Sequence, residues 1–126
     1  MDTQLDICHA LQLEGYCYDG NSLVAEVSEL VVGPRRNVVQ GDRRYLVTFR
    51  RPVSHAVTEE FPAALATWIR GTENGFLRRL DNESLVVAMG LNESQFSEFR
   101  AFALITAHEI LVAFCAHEPE VTLKGA

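Results

Sequence analysis

Two apolar segments near the C-terminal end constrain the fold of this chain most strongly. In residues 99–106 and 110–115, the side chains at both odd and even positions are largely apolar. A strand that is apolar on both faces belongs in the middle of a sheet that has another layer on each side. The break at Ala107-His108 is short enough for a tight hairpin. These segments therefore predict two central strands, with one face against a helix and the other against a second layer or a partner subunit.

Alternation of apolar and polar side chains recurs elsewhere in the chain and predicts further strands. The segments are 23–32, 45–49, 53–58 and 121–123, the last of them at a sheet edge. In the first segment the apolar residues stand at odd positions as far as Val27 and at even positions from Leu30 onward. This change indicates a β-bulge near Ser28-Glu29. Pro52 lacks a backbone N–H and therefore marks an edge, a bend or a bulge between two strands.

Three other segments have apolar residues three or four positions apart, which is the spacing of one helix face. They are Leu5, Cys8 and Leu11 in the first, Phe61, Leu65, Trp68 and Ile69 in the second, and Phe76, Leu77 and Leu80 in the third. Pro62 is compatible with the second helix because it falls in the first turn. The third helix is predicted to start at Asn74.

The strands and helices together predict the α+β class. We expect a single domain over residues 1–126, because a chain of this length fits one hydrophobic core. It would contain a mainly antiparallel sheet of about five or six strands and two or three short helices. Residues 1–20 either belong to this core or form a loosely attached N-terminal segment.

Positive charge is concentrated in one part of an acidic chain. The formal net charge is −6, yet residues 30–58 contain six arginines and only one acid, Asp42. The acidic total argues against general nucleic-acid binding. Arg44 and Arg50 are an even number of residues apart on a predicted strand, so they share a face that could receive a carboxylate or phosphate. The alternatives are a solvated hairpin and a contact with the acidic surface of a second copy.

The sequence predicts a cytoplasmic protein that does not cross a membrane. The first residues lack the basic start and apolar core of a secretory signal. No apolar run approaches the ~20 residues of a membrane-spanning helix. The three cysteines, an odd number, favour free thiols in a reducing compartment.

Three motifs follow one another along the last two-thirds of the chain. Residues 45–49 run into 53–60, which end in an acidic pair; residues 75–84 end in Glu-Ser; residues 99–121 form a hairpin followed by a proline. In this order they resemble a diffuse group of small, uncharacterised bacterial cytoplasmic proteins. The resemblance implies an α+β fold built on an antiparallel sheet, and it implies no catalytic residue. After the acidic pair this chain departs from the group, with Phe-Pro-Ala-Ala in place of polar residues.

The best constellation for chemistry consists of His55, Glu59, Glu60 and Trp68, with Arg50 and Arg51 nearby. A histidine beside a carboxylate can transfer protons near neutral pH, so these residues predict a ligand pocket. The alternative for His55 is a hydrogen-bonded core histidine, because it shares the parity of two valines. The two acids equally suit a helix N-terminus, whose dipole attracts negative charge.

Metal and cofactor chemistry is not predicted. The pairs His108-Glu109 and His117-Glu118 lie nine residues apart, which is roughly 30 Å along a strand and too far for one coordination sphere. The sequence contains neither a nucleophile elbow nor a glycine-rich phosphate loop. We therefore expect no metal and no cofactor.

Two functions fit these observations. The favoured one is a non-enzymatic interaction protein of the inhibitor or immunity type, because net acidic charge speeds docking to a basic target. The alternative is a small-molecule-binding protein or cryptic enzyme with a pocket around His55, Glu60 and Trp68. The expected partner is a second copy or another protein, and a homodimer would form through the apolar hairpin of residues 99–115.

Overall fold

The computed structural model describes residues 4–58, 75–80 and 99–125. These residues form one short 3-10 helix, Gln4–Ile7, and eight strands. The strands are β1 (Ala10–Tyr18), β2 (Ser22–Val32), β3 (Val38–Arg50), β4 (Ser54–Thr58), β5 (Leu77–Leu80), β6 (Arg100–Ile105), β7 (Ile110–Cys115) and β8 (Glu120–Gly125).

The eight strands form two four-stranded antiparallel sheets. Sheet A has the order β1-β2-β3-β8, and sheet B has the order β4-β7-β6-β5. One core cluster contains buried side chains of both sheets, as expected when the inner faces of two sheets pack together. Its largest fully buried members include Leu11, Leu23, Phe49, Phe102, Leu104 and Leu111. The described part of the chain is therefore a β-sandwich.

The prediction of an α+β domain with two or three helices is wrong. In the residues that the structure describes, the only helix is the four-residue 3-10 helix, and the strands number eight rather than five or six. None of the described helices is long and apolar enough to cross a membrane. The helix predicted from Phe61 to Ile69 lies outside the described residues.

Strands replace the second half of the first predicted helix and the described part of the third, for identifiable reasons. Residues 10–18 form β1 because Leu11 and Leu13 are buried while Gln12 and Glu14 between them are exposed. Residues 77–80 form β5, not a helix. A spacing of three residues places two side chains on opposite faces of a strand, and Leu77 and Leu80 are buried in different core clusters.

The central hairpin predicted from the C-terminal apolar segments is confirmed. β6 and β7 are the two inner strands of sheet B, and every residue of β7 is buried. The turn is closed by the Thr106 N–H, which donates to the Glu109 carbonyl at 2.9 Å. The outer face has its own buried cluster, which includes Ala103, Val112 and Phe114. The hairpin thus offers no exposed apolar face through which a dimer would form.

β2 and β3 form a ladder that is longer than its neighbours. The register shifts between Ser28 and Leu30. The β-bulge predicted near Ser28-Glu29 from the spacing of the apolar residues is therefore confirmed. β1 pairs with β2 only as far as Leu30, and β8 pairs with β3 only from Arg44 to Thr48. Residues 31–39 therefore project beyond both neighbouring strands as a two-stranded ribbon, which we call the ribbon arm.

Gly41 leaves the space that Glu29 occupies at this register shift. A Cβ atom on Gly41 would lie 2.6 Å from Cγ of Glu29. The Glu29 side chain is only 13% exposed, and its carboxylate accepts a hydrogen bond from the Arg43 N–H at 3.3 Å. The glutamate side chain therefore has little room to move away.

Substitution of Gly41 by alanine is expected to lower the free energy of unfolding by about 1–3 kcal/mol, because it overpacks this site. Urea denaturation measures the change. Gly15→Ala is the matched control, since it lies in β1 and a Cβ there meets nothing within 4 Å. The control is expected to be neutral or slightly stabilising. Equal losses in the two variants would contradict the packing described for Glu29.

Candidate functional site

Three connections between strands meet at one end of the sandwich, which we call the cleft end. They are the β1–β2 turn (19–21), the β3–β4 connection (51–53) and the β7–β8 connection (116–119). The Arg51 N–H donates to the Asn21 carbonyl at 2.7 Å and joins the first two connections. The Val53 N–H donates to the Phe114 carbonyl at 2.9 Å and joins the second to sheet B.

The β1–β2 turn is fixed by the side chain of Asp19. Its Oδ1 accepts hydrogen bonds from the backbone N–H groups of Ser22 at 2.7 Å and Asn21 at 2.8 Å. These bonds to the charged carboxylate lower the pKa of Asp19. Gly20 adopts a φ of 91°, which a glycine adopts without strain. The turn therefore presents Asn21 in a defined orientation.

Arg51 has a left-handed backbone conformation, with a φ of 45°. Residues other than glycine rarely adopt positive φ, and such strain is concentrated at functional sites. Asn21 holds both parts of this arginine, because its carbonyl accepts the backbone N–H and its Oδ1 accepts a hydrogen bond from Nε at 3.3 Å. Within the described residues Arg51 forms no ion pair, so its Nη groups are available to a ligand.

An open cleft of about 280 Å³ lies between these connections. Its lining consists of Asn21, Ser22, Arg50, Arg51 and His117. Nη2 of Arg50 forms an ion pair with Oε1 of Glu120 at 2.8 Å. Two arginines and one histidine thus line the cleft, and guanidinium groups match carboxylate and phosphate geometry. The arrangement is suited to binding an anionic group.

A buried thiol supports the His117 side of the cleft. Sγ of Cys115 donates to the His117 carbonyl at 3.3 Å. Burial raises the pKa of Cys115 to about 11, although this hydrogen bond acts in the opposite direction. The thiol is therefore protonated near neutral pH, and its role here is to orient the backbone rather than to react.

An aromatic cluster joins the edges of the two sheets beside the cleft. His55 of β4 contacts Tyr16 and Tyr18 of β1, with ring centroids 6.4 Å and 5.7 Å apart, respectively. The two tyrosines are about half exposed and His55 is half-buried. Tyr18 directly precedes the β1–β2 turn, so this cluster also lies at the cleft end.

The structure brings only some of the predicted site residues together. His55 and Arg50 both lie at the cleft end. Arg44 and Arg50 share the outer face of β3, as their parity predicted, but six residues separate them by about 20 Å along the strand. Glu59, Glu60 and Trp68 lie outside the described residues.

Sequence reasoning missed most of the cleft. The missed residues are Tyr16, Tyr18, Asn21 and His117, whereas Arg50 and Arg51 were expected near a site. The Asp-Gly-Asn turn was recognisable as a turn, and a more specific signal was the position of Arg51 directly before Pro52, at a break between strands. Nothing in the sequence indicated that this break would lie beside the β1–β2 turn.

The other titratable groups favour structural roles. Sγ of Cys8 lies 4.0 Å from Oη of Tyr45, and burial raises the pKa of both groups. Among the residues that the structure describes, no three His, Cys, Asp or Glu side chains are placed to hold a metal ion. The two His-Glu pairs lie at opposite ends of β7.

Comparison with known proteins gives no match to a family model, a curated protein or a solved structure. The resemblance to small bacterial proteins therefore stays a prediction. The function has to be argued from the site itself.

Proposed function

We propose that this chain is a non-enzymatic interaction protein that binds an acidic group of another protein in the cleft. The observation that supports this most is the placement of Arg51, which Asn21 holds in a left-handed conformation beside Arg50 and His117. A preorganised arginine loses little conformational entropy when it binds a carboxylate. An inhibitor or immunity-type role would use such a surface.

The ion pair at the edge of the cleft is easily exchanged. Arg50 and Glu120 have side chains that are 58% and 56% exposed, and exposed ion pairs contribute only about 0–1 kcal/mol. A carboxylate from a partner can therefore replace Glu120 at little cost. The expectation of a basic target was based on net charge, whereas the local charge at the cleft favours an acidic group.

The aromatic cluster extends the proposed contact surface. Tyrosine side chains are enriched at protein interfaces because they combine apolar area with a hydrogen-bonding group. Tyr16, Tyr18 and His55 lie beside the cleft and are accessible to a macromolecular partner. A partner that inserts an acidic side chain into the cleft would cover this cluster.

The shape of the cleft favours a protein partner over a small molecule. Sites that enclose small molecules are concave and mostly apolar, with volumes of about 300–1,000 Å³. This cleft is open, and its lining side chains are polar. It accommodates the end of one acidic side chain more readily than a whole small ligand.

The proposal also includes a cytoplasmic location. Three cysteines are free, two of them buried and Cys17 exposed, which suits a reducing compartment.

Titration with a hexaglutamate peptide, followed by heteronuclear NMR, tests the proposal. Arg51→Asn removes the guanidinium but keeps a residue that tolerates the left-handed conformation. A hydrogen bond to a charged group contributes about 1.5–3 kcal/mol, so the affinity is expected to fall by about 10–100-fold.

Arg36→Asn is the matched control, because Arg36 also has a positive φ, 60°, but lies on the ribbon arm. It is expected to leave the affinity for hexaglutamate unchanged. Tighter binding of hexalysine, or equal losses in both variants, would contradict the proposal. Binding of inorganic phosphate with the affinity of the peptide would show that the cleft recognises anions alone.

A further inference from the structure

The most exposed large apolar side chains of the described residues lie far from the cleft. They are Val38 (68% exposed), Ile7 (67%) and Val32 (62%). Val32 and Val38 are paired across the ribbon arm. Ile7 ends the 3-10 helix just before β1, and the first residue of β1 pairs with Leu30 at the base of the arm. All three therefore lie at the end opposite the cleft, which we call the arm end.

The ribbon arm lacks the support that the rest of sheet A has. Its strands extend beyond their pairing with β1 and β8, and an isolated two-stranded ribbon is only marginally stable in water. Its turn is nevertheless well formed, since the Gly33 N–H donates to the Asn37 carbonyl at 2.7 Å. An ordered arm with an exposed valine pair is typical of a surface that another molecule covers.

Charge at the arm end is self-complementary. Arg35 and Arg36 are exposed at the tip of the arm, and neither forms an ion pair in the described part of the chain. Asp6 is exposed beside Ile7. The arm end therefore carries two complementary surfaces. One is the ribbon arm, which is apolar and basic, and the other is formed by Asp6 and Ile7, which is acidic and apolar.

We infer that the arm end is the interface of a homodimer. Val32 and Val38 of one copy cover Ile7 of the second copy, and the arginines at the arm tip face its Asp6. A twofold axis repeats each of these contacts, so the assembly is closed. The self-complementary surface favours a second copy over a different protein, and both clefts remain open at the far ends of the dimer.

Sedimentation velocity over a range of protein concentrations tests this inference. The double variant Val32→Thr, Val38→Thr keeps β-branched side chains that suit strands and removes the apolar contact. Its dimer dissociation constant is expected to rise at least about tenfold, and Ile7→Thr is expected to act in the same direction. Circular dichroism would verify that each variant remains folded.

Val53→Thr is the matched control, because Val53 is an exposed valine on the β3–β4 connection at the cleft end. It is expected to leave the dissociation constant unchanged. A wild-type protein that is monomeric at all concentrations, or a dimer that the arm-end variants do not weaken, would overturn the inference.

Two arginine variants separate this inference from the proposed function. Arg36→Asn is expected to weaken the dimer and to leave hexaglutamate binding unchanged, whereas Arg51→Asn is expected to do the reverse. Added salt should also weaken the dimer, because exposed charges are screened. If Arg51→Asn dissociated the dimer as strongly as Arg36→Asn, the interface would not be the arm end.

Discussion

Replacement of Phe49 by alanine is expected to lower the free energy of unfolding by about 3–5 kcal/mol. Phe49 lies on the inner face of β3, is fully buried and belongs to the core cluster that both sheets share. Its removal would leave a cavity between the sheets that the neighbouring strands cannot fill without breaking their ladder. Domains of this kind are stable by only about 5–15 kcal/mol, so the loss is a large fraction of the total.

Urea denaturation of the wild type and the variant measures this loss. Tyr16→Ala is a suitable control, since it also removes an aromatic ring from a strand of sheet A but from a half-exposed position. The control is expected to cost less than about 1 kcal/mol. If the two variants were equally destabilised, the inner faces of the sheets would not form the main core.

A second large effect is expected for Phe114→Ala, again about 3–5 kcal/mol. Phe114 lies on the opposite face of sheet B, is 1% exposed and packs against Phe99 with ring centroids 5.7 Å apart. The substitution tests whether this outer face is a second core. Because Phe49 and Phe114 belong to separate clusters, the losses in the double variant should be nearly additive.

Val53→Ala is the control for this second substitution. The Val53 N–H donates to the Phe114 carbonyl, but its side chain is exposed, so the expected change is within about 0.5 kcal/mol. Thermal unfolding followed by calorimetry would compare the two variants. A Phe114→Ala protein as stable as the control would mean that the outer face of sheet B is not closely packed.

Strands with strong alternation could be predicted from the sequence, because one buried face imposes a period of two. The change in the positions of the apolar residues after Val27 also located the register shift between β2 and β3. The hairpin of β6 and β7 was recognisable for a different reason. Both of its faces are buried, so its apolar residues form a continuous run. Such a run is typical of a strand in the middle of a sheet.

The errors also have a physical origin. Leu77 and Leu80 are three residues apart, a spacing that suits one face of a helix and equally the two faces of a doubly buried strand. The four residues of β5 are too few for periodicity to separate these cases. Leu5 and Cys8 are both buried, but Leu5 lies in a four-residue 3-10 helix and Cys8 follows that helix, so their spacing of three residues does not reflect an α-helix.

The candidate site was only partly predictable. His55 and Arg50 could be predicted as site residues only from the chemistry of their side chains. Arg51 and Asn21 are thirty residues apart in the sequence, and they meet because the β2–β3 ladder pairs Ser22 with Arg50. Register over such a distance is a property of the folded sheet. No local pattern around either residue encodes it.

The position of β8 has a consequence for the order of folding. β8 follows every other described strand in the chain, yet it pairs with β3 of sheet A, and Gln4 donates to its Val121 carbonyl at 3.0 Å. During synthesis, β3 therefore keeps an open hydrogen-bonding edge until the ribosome has released β8. Such an edge is a template for pairing with other chains. The nascent protein is thus vulnerable to aggregation during the time when β3 has been synthesised and β8 has not, and slow elongation ahead of β8 would prolong that exposure.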